Sequence, residues 1–454
     1  MALLSLLWKL YQLKRNEHKT REQILALQEK RCKKLLRYVY EHSPYYRKRW
    51  EEAGIRKEQL ENLPLSSFPT MNKELLMEHF DEIVTDSKIT QAELRRFDEE
   101  KKEGQELYRG TYHVVHSSGS TGIPRYFVYD KKAWEQMLLG IIRGALWGLS
   151  VPGIFRLLSG GLNILYIAAT DGRYGGAMAV GDGIHMTGAR QKFLDINTPL
   201  SEWVPCMEQY QPELIIGYPS AIKIMAELVK EKGISPQVRR VISCGEPLSA
   251  GLRKYLEQAF SAEVINFYGA SESLALGVEG RNADGMVLFD DMNIIEVQDG
   301  QMYLTCLYNK TQPLIRYHIS DKLVLRDDED TSPFSRSEIL LSRDEDVLWF
   351  TDGEGNREFL HPLAVEGLCI EGLSDYQFRQ TDRDAFEVLA EVADGKAKEW
   401  VRGELLGQMR QILQEKKLDY VRFFVRFVPH ILPDSRTGKK TLIVAGEEEL
   451  EDAV

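Results

Sequence analysis

The chain is poor in the features that mark secreted, membrane-spanning or nucleic-acid-binding proteins. Its five cysteines (Cys32, Cys206, Cys244, Cys306 and Cys369) lie far apart with no Cys-x-x-Cys pair. That excludes a zinc ribbon or a disulfide framework and fits a reducing compartment. No apolar run approaches the ~20 residues that a membrane span needs. The apolar start, Ala2 to Trp8, also lacks the charged beginning and small-residue cleavage site of a signal peptide, so a cytoplasmic location is expected. Positive charge is in deficit: the formal net charge is -11. A basic footprint is missing, and no nucleic-acid partner is expected. There is no internal repeat, no low-complexity segment, and no Gly-Lys-Ser/Thr of a Walker loop.

What is present is an ordinary globular composition, 43% hydrophobic and 28% charged over 454 residues, with room for two or three domains. Leu10 and Leu13 extend the apolar start at helical spacing among Lys9, Lys14 and Arg15. Docking of residues 2–13 on the protein's own body, or on a second copy in a homodimer, is expected ahead of membrane contact. A helical pattern from about Lys19 to Ala53 is broken at Ser43-Pro44.

The most informative stretch runs Ser117-Ser118-Gly119-Ser120-Thr121-Gly122-Ile123-Pro124-Arg125. Its hydroxyls and glycines disfavour helix and packed strand alike. Such a loop curls well around an anion, offering N–H groups and hydroxyls to phosphate oxygens. Short apolar runs on both sides, Tyr112 to Val115 and Tyr126 to Tyr129, predict a strand-to-strand phosphate clamp. A flexible Ser/Gly hairpin is the bland alternative.

Beyond a long apolar helix (Lys132 to Leu149), strands and helices alternate to about Tyr268, which predicts a mostly parallel sheet covered on both faces. Ligands in such folds bind at the carboxyl ends of the strands. Three strands end there in unusual turns: Gly217-Tyr218-Pro219-Ser220, Cys244-Gly245-Glu246-Pro247 and Gly269-Ala270-Ser271-Glu272. From Met286 the texture is β-rich, and the last stretch has its own strands and a helix. The fold class expected is therefore α/β. A large N-terminal domain (1–341) combines mostly parallel sheets with a β-rich subdomain, and a small α+β C-terminal domain occupies 342–454.

Four motifs stand in a fixed order: Ser117 to Gly122, Tyr268-Gly269-Ala270-Ser271-Glu272, Arg316 to Asp321, and Pro433-Asp434-Ser435-Arg436-Thr437-Gly438-Lys439. As a set they resemble the adenylate-forming superfamily of acyl- and aryl-CoA ligases, closest to the branch of phenylacetate–CoA ligase, coenzyme F390 synthetase and capsular-polysaccharide-type proteins. The resemblance implies an AMP-forming ligase that uses ATP and Mg²⁺. A carboxylic acid would become acyl-AMP with release of pyrophosphate, and CoA would then take the acyl group. It further implies that Ser117, Ser118, Gly119, Ser120, Thr121 and Gly122 hold the departing phosphates, with Arg125 nearby. Glu272 would carry Mg²⁺, and Lys439 would bridge the incoming carboxylate and the α-phosphate. Tyr268, Gly269 and Ser271, with Gly245, Glu246 and Pro247, would frame the adenine. Asp321 would accept the ribose hydroxyls, and Arg343 would touch the ribose or phosphate. The acid pocket is expected from Tyr218, Pro219, Ser243, Gly269 and Ala270, the last two leaving room for a ring. The small domain would be mobile, turning about Glu345.

The chain departs from the family pattern in places. Asp434 replaces the usual arginine of the terminal motif, Ile319-Ser320 precede Asp321, Ser342 replaces the hinge glycine, and Lys440 adjoins Lys439. The stretch Thr351-Asp352-Gly353-Glu354-Gly355-Asn356 is acidic where the acceptor would approach. It keeps a second reading open, the same activation with an amine, a carrier-protein thiol or a hydroxyl as acceptor. A nucleotide-binding relative that no longer catalyses and serves as an interaction subunit is the third.

Overall fold

The computed structural model describes residues 3–100, 107–117, 125–159, 161–169, 178–179, 181–182, 189–280, 285–298, 301–319, 321, 323–326, 332–339, 348–351, 355–360, 365, 368, 370, 372–392, 398–431 and 442–444. At its centre is a nine-stranded sheet. Five neighbouring strands are parallel, in the order Arg190–Asp195, Asn163–Ala168, Leu214–Gly217, Arg240–Cys244 and Glu263–Ala270. Beyond them Ser273–Glu279, Met286–Leu288, Arg336–Ile339 and Leu323–Leu325 continue the sheet antiparallel. The parallel strands read as apolar runs because both faces are covered. The helix Lys131–Ala145 packs on one face with Met137, Leu138 and Ile142. The helices Trp203–Tyr210, Pro219–Glu231 and Ala250–Phe260 cover the other. Close approach of the Lys131 helix requires glycine at Gly144, where a Cβ would lie 2.4 Å from the Phe267 ring.

The N-terminal helix Leu3–Lys14 docks on the body, as the amphipathic spacing suggested. Leu6, Leu10 and Leu13 are buried in the main core, and Lys9 pairs with Glu135 at 2.8 Å. The next helix, Arg21–His42, has a capping box at Thr20 and Gln23 and ends before Pro44, which opens Pro44–Glu52. Beneath them Asp291 accepts from Arg143 (2.8 and 3.0 Å) and from Asn16 (2.7 Å). Both charged side chains of that pair are fully buried, and the guanidinium sits over Phe289 at 4.1 Å. Removing one partner of such a pair strands a buried charge, at ~3–5 kcal/mol.

A hairpin Leu348–Thr351/Arg357–Leu360 follows the large sheet, and a four-stranded sheet built from Leu373–Asp382, Ala385–Val392, Arg422–Phe427 and Ile443–Val444 packs on the helix Lys398–Glu415. The hairpin belongs to two cores. Leu348, Phe350 and Leu360 join the C-terminal cluster, while Phe359 packs with Trp203 in the cluster under the large sheet. None of the described helices is long and apolar enough to cross a membrane.

Candidate active site

The strands expected around the Ser/Gly loop form. His113–Ser117 pairs antiparallel with Arg125–Tyr129, bringing Ser117 opposite Arg125. The loop itself, Ser118 to Pro124, lies outside the described residues. Two buried amides fix the hairpin to the β-rich segment. Gln312 accepts from Val128 N–H (2.7 Å) and donates to the Tyr126 carbonyl (3.0 Å), and Asn309 donates to the Val128 carbonyl (3.0 Å). On its inner side Tyr129 reaches the Ser271 and Glu272 carbonyls, each at 3.3 Å. The hairpin around the Ser/Gly loop and the Glu272 motif are thus one unit.

At the mouth of that unit Arg125 donates to Glu272 Oε1 and to the Tyr317 hydroxyl, each at 3.3 Å. Glu272 is buried. Burial pushes its carboxyl above the usual range; the Arg125 cation opposes that rise and Asp321 adds to it. Tyr317 is pushed up to about 12, chiefly by burial. A buried carboxylate whose contact to a cation, among the described residues, is a long one is well suited to receive a further positive charge.

The structure adds Lys73, a residue the motifs did not contain. Met71 bridges Tyr317 in parallel, donating to the Arg316 carbonyl (3.0 Å) and accepting from His318 N–H (2.7 Å). Asn72 then caps the short helix Lys73–Glu78 through Leu75 N–H. Arg316 clamps the arrangement, in the left-handed region at φ 49° and donating to the carbonyls of Ser66 (2.9 Å) and Phe68 (2.7 Å) and to Glu296 (3.0 Å). Lys73 is thereby carried close to Arg125, and burial, followed by the repulsion of that guanidinium, lowers its pKa.

The three strand-end turns meet at the same edge of the sheet, because Leu214–Gly217, Arg240–Cys244 and Glu263–Ala270 are adjacent and parallel. Glu246 reaches back to the helix that starts at Pro219, accepting from Ser220 Oγ (2.7 Å) and Ser220 N–H (3.2 Å). The Tyr218 ring lies against Gly245, where an added Cβ would come within 2.7 Å of it and where φ is +83°. Tyr218 and Pro219 therefore share a wall with the Gly245-Glu246-Pro247 loop. Ser243 is fully buried, and strand alternation puts it on the face of Val241, opposite Ile242 and Cys244. Gly269 does not leave room for a substrate ring. The Leu274 carbonyl would lie 2.5 Å from a Cβ there, and the pairing shifts register between Tyr268 and Ala270. The glycine allows a β-bulge that turns Tyr268 and Ala270 outward from a regular ladder.

Tyr268 and Asp321, from motifs more than fifty residues apart in sequence, are hydrogen-bonded: the phenol donates to Asp321 Oδ2 at 2.6 Å. Burial, then the Asp321 charge, pushes the Tyr268 pKa well up, and Asp321 is exposed. An exposed carboxylate beside an aromatic face can take the ribose and base of a nucleotide. Arg343, Glu345, Lys439 and Lys440 lie outside the described residues.

A buried carboxylate in contact with an arginine, and an aromatic–carboxylate pair, at the carboxyl edge of an α/β sheet can serve a nucleotide-using ligase. Residues 78–287 match the family model described as AMP-binding enzyme. The chain is 26% identical over 411 residues to a phenylacetate-coenzyme A ligase of Thermus thermophilus, with 82% of each chain covered. It is 25% identical to a phenylacetate-coenzyme A ligase of Pseudomonas putida over 83% of this chain and 84% of that one. Its fold is similar to that of 2-hydroxyisobutyryl-CoA ligase in the thioesterification state, with TM-score 0.59, 20% identity and 95% and 91% of the two chains covered. The protein is an AMP-forming ligase by class. Residues 78–287 carry the AMP-binding enzyme match, and most of the chain is similar to phenylacetate-coenzyme A ligases.

Proposed function

We propose that the protein activates a carboxylic acid with ATP and passes the acyl group to CoA. A carboxylate oxygen attacks the α-phosphorus and the bond to the β-phosphate breaks, with pyrophosphate leaving on the bonding pair. The CoA sulfur then attacks the acyl carbon, its proton passes to solvent, and AMP departs. Two anions meet in the first step, so oriented positive charge around the phosphates is what the site must supply. The observation that carries the reading is the contact of Arg125 with Glu272, with Lys73 beside Arg125 and the Tyr268–Asp321 pair close by.

In this reading Asp321 accepts the ribose hydroxyls, Tyr268 stacks on the base, and the loop Ser117 to Gly122 holds the β- and γ-phosphates with Arg125 and Lys73. Glu272 would hold Mg²⁺, which supplies charge neutralisation for the departing pyrophosphate. Among the described residues no cluster of three or more His, Cys, Asp or Glu side chains exists. Residues 342–454 form a small domain that turns about Glu345, delivering Lys439 for the first step and withdrawing it for the second. Acid-dependent exchange of pyrophosphate into ATP, run over a panel of carboxylic acids, tests the activation. CoA, then amines, added to the responding acid identify the acceptor. No exchange with any acid would favour the non-catalytic reading. Transfer to amines but not CoA would favour the second reading, for which the acidic stretch Asp352 to Glu354 speaks.

A further inference from the structure

The Lys416 side chain has no solvent exposure, although it follows the surface helix Lys398–Glu415 and precedes a second lysine. Its ammonium donates to Glu358 Oε1 and to the Thr198 carbonyl, each at 3.0 Å. It lies 3.9 Å from the centre of the Phe359 ring and 5.7 Å from that of Trp203. The other oxygen of Glu358 accepts from Leu200 N–H at 2.7 Å. That N–H opens the short 3-10 turn Leu200–Glu202, which leads directly into Trp203–Tyr210. Glu358 therefore caps a helical start of the large sheet's outer layer from another part of the chain. Thr198 carbonyl also accepts from the Trp203 indole at 2.9 Å.

The hydrogen bonds of this contact run from Glu358 and Lys416 to Leu200 and Thr198, with the Trp203 ring beside them. A stable core would fill such a slot with an apolar side chain, since a buried ion pair gains little over one. A contact that must open has a different requirement. Its charged groups regain full hydration once exposed, whereas an apolar slot would be held shut by the hydrophobic effect.

We propose that Lys416 and Glu358 form a latch that holds the C-terminal unit against Thr198–Trp203, and that it opens during the turn between the two half-reactions. The proposal rests on the two-step reading above. The latch is built to close with defined geometry and to open at low cost. Its selectivity comes from Glu358, which satisfies Leu200 N–H and Lys416 at once and does so only in this orientation.

Two variants of the full chain push the latch in opposite directions. Glu358→Ala removes the carboxylate hydrogen-bonded to the Lys416 ammonium and to Leu200 N–H and should open the contact. The double variant Glu358→Gln with Lys416→Met keeps an acceptor for Leu200 N–H, leaves no ions to rehydrate, and should hold it shut. Hydrogen exchange at residues 198–204 is expected to speed up about tenfold or more in Glu358→Ala and to slow, or hold, in the double variant. With an accepted acid, the ratio of acyl-AMP formation to acyl transfer should move in opposite directions in the two. Unchanged exchange at residues 198–204 in Glu358→Ala would overturn the latch, as would half-reactions that fall together in both variants. The exchange measurement needs no substrate. A wild-type protein that activates no acid would therefore defeat the functional reading and leave the contact itself still measured.

Discussion

The phenol of Tyr268 donates to the carboxylate of Asp321 at 2.6 Å, so the group proposed to grip the ribose is already oriented by the one proposed to face the base. Asp321→Ala is expected to raise the KM for ATP ~10–100-fold while changing kcat less, because a contact made before and during the reaction contributes uniform binding. Tyr268→Phe keeps the ring and removes only the orienting hydrogen bond, worth about 1 kcal/mol, so its KM effect should be several-fold. Steady-state kinetics in ATP separates the two. An unchanged KM for Asp321→Ala would remove that residue from the site.

Lys439 is proposed to act on charge that develops during attack. Lys439→Ala should lower pyrophosphate exchange by ~10²–10³ or more with ATP affinity nearly unchanged, the pattern of an interaction made in the transition state. ATP binding by calorimetry, beside the exchange rate, checks both halves. A dead Lys440→Ala beside an active Lys439→Ala would move the assignment by one residue.

Lys73 and Arg125 repel each other, and that repulsion is tolerated beside the Glu272 carboxylate. Such an arrangement is favourable when a polyanion arrives. Lys73→Ala is expected to weaken ATP and pyrophosphate far more than AMP, since AMP lacks the phosphates the pair would meet. The separation should be about tenfold, the scale of one charge-assisted hydrogen bond. Equal weakening of all three ligands would place Lys73 elsewhere.

Much of this site was legible before any coordinates. The two strands around the Ser/Gly loop showed as apolar runs, and the three strand-end turns showed as Gly/Pro punctuation after buried strands. Lys73 was not legible. Lys73-Glu74-Leu75-Leu76 reads as the start of a solvated helix, and only the bridge between Met71 and Tyr317, distant in sequence, carries it to Arg125. The strand Arg190–Asp195 was missed because it is an edge strand with alternate polar residues and little apolar signal. Gly269 was misjudged for a related reason. A glycine in sequence looks like space, whereas here the partner strand's Leu274 carbonyl fills it. Nothing in the Lys416-Lys417 pair marks Lys416 as buried, and tertiary packing alone buries it.

Glu345 is where the small domain is proposed to turn. Proline fixes φ near ~-65° and would lock one orientation. Glu345→Pro is expected to keep acid-dependent pyrophosphate exchange and to lose acyl transfer from preformed acyl-AMP by ~10² or more, as a blocked conformational step would. Both half-reactions are to be measured on the purified variant. Transfer at the wild-type rate would show that no turn is needed there.

The buried ammonium of Lys416 makes a prediction about pH that requires no substrate. Burial is the largest influence on it and lowers its pKa to about 8, against the opposing attraction of Glu358 and Asp195. The neighbours that face it are Glu358, Asp195, the Thr198 carbonyl and the rings of Phe359 and Trp203. An unfolded lysine stays protonated to ~10.4. Between about pH 8 and that value the unfolded chain binds a proton that the folded chain has released, so stability contributed by this residue rises with pH. Below about pH 8 both states hold the proton, and the full penalty of the buried cation is present. Lys416→Met removes that titration. The difference in Tm between the native chain and the variant is therefore expected to be flat below pH 8 and to shift in favour of the native chain between pH 8 and pH 10. Thermal melts of both proteins across that range measure it. A difference that stays constant from pH 7 to pH 10 would mean that the ammonium is not desolvated as the geometry requires.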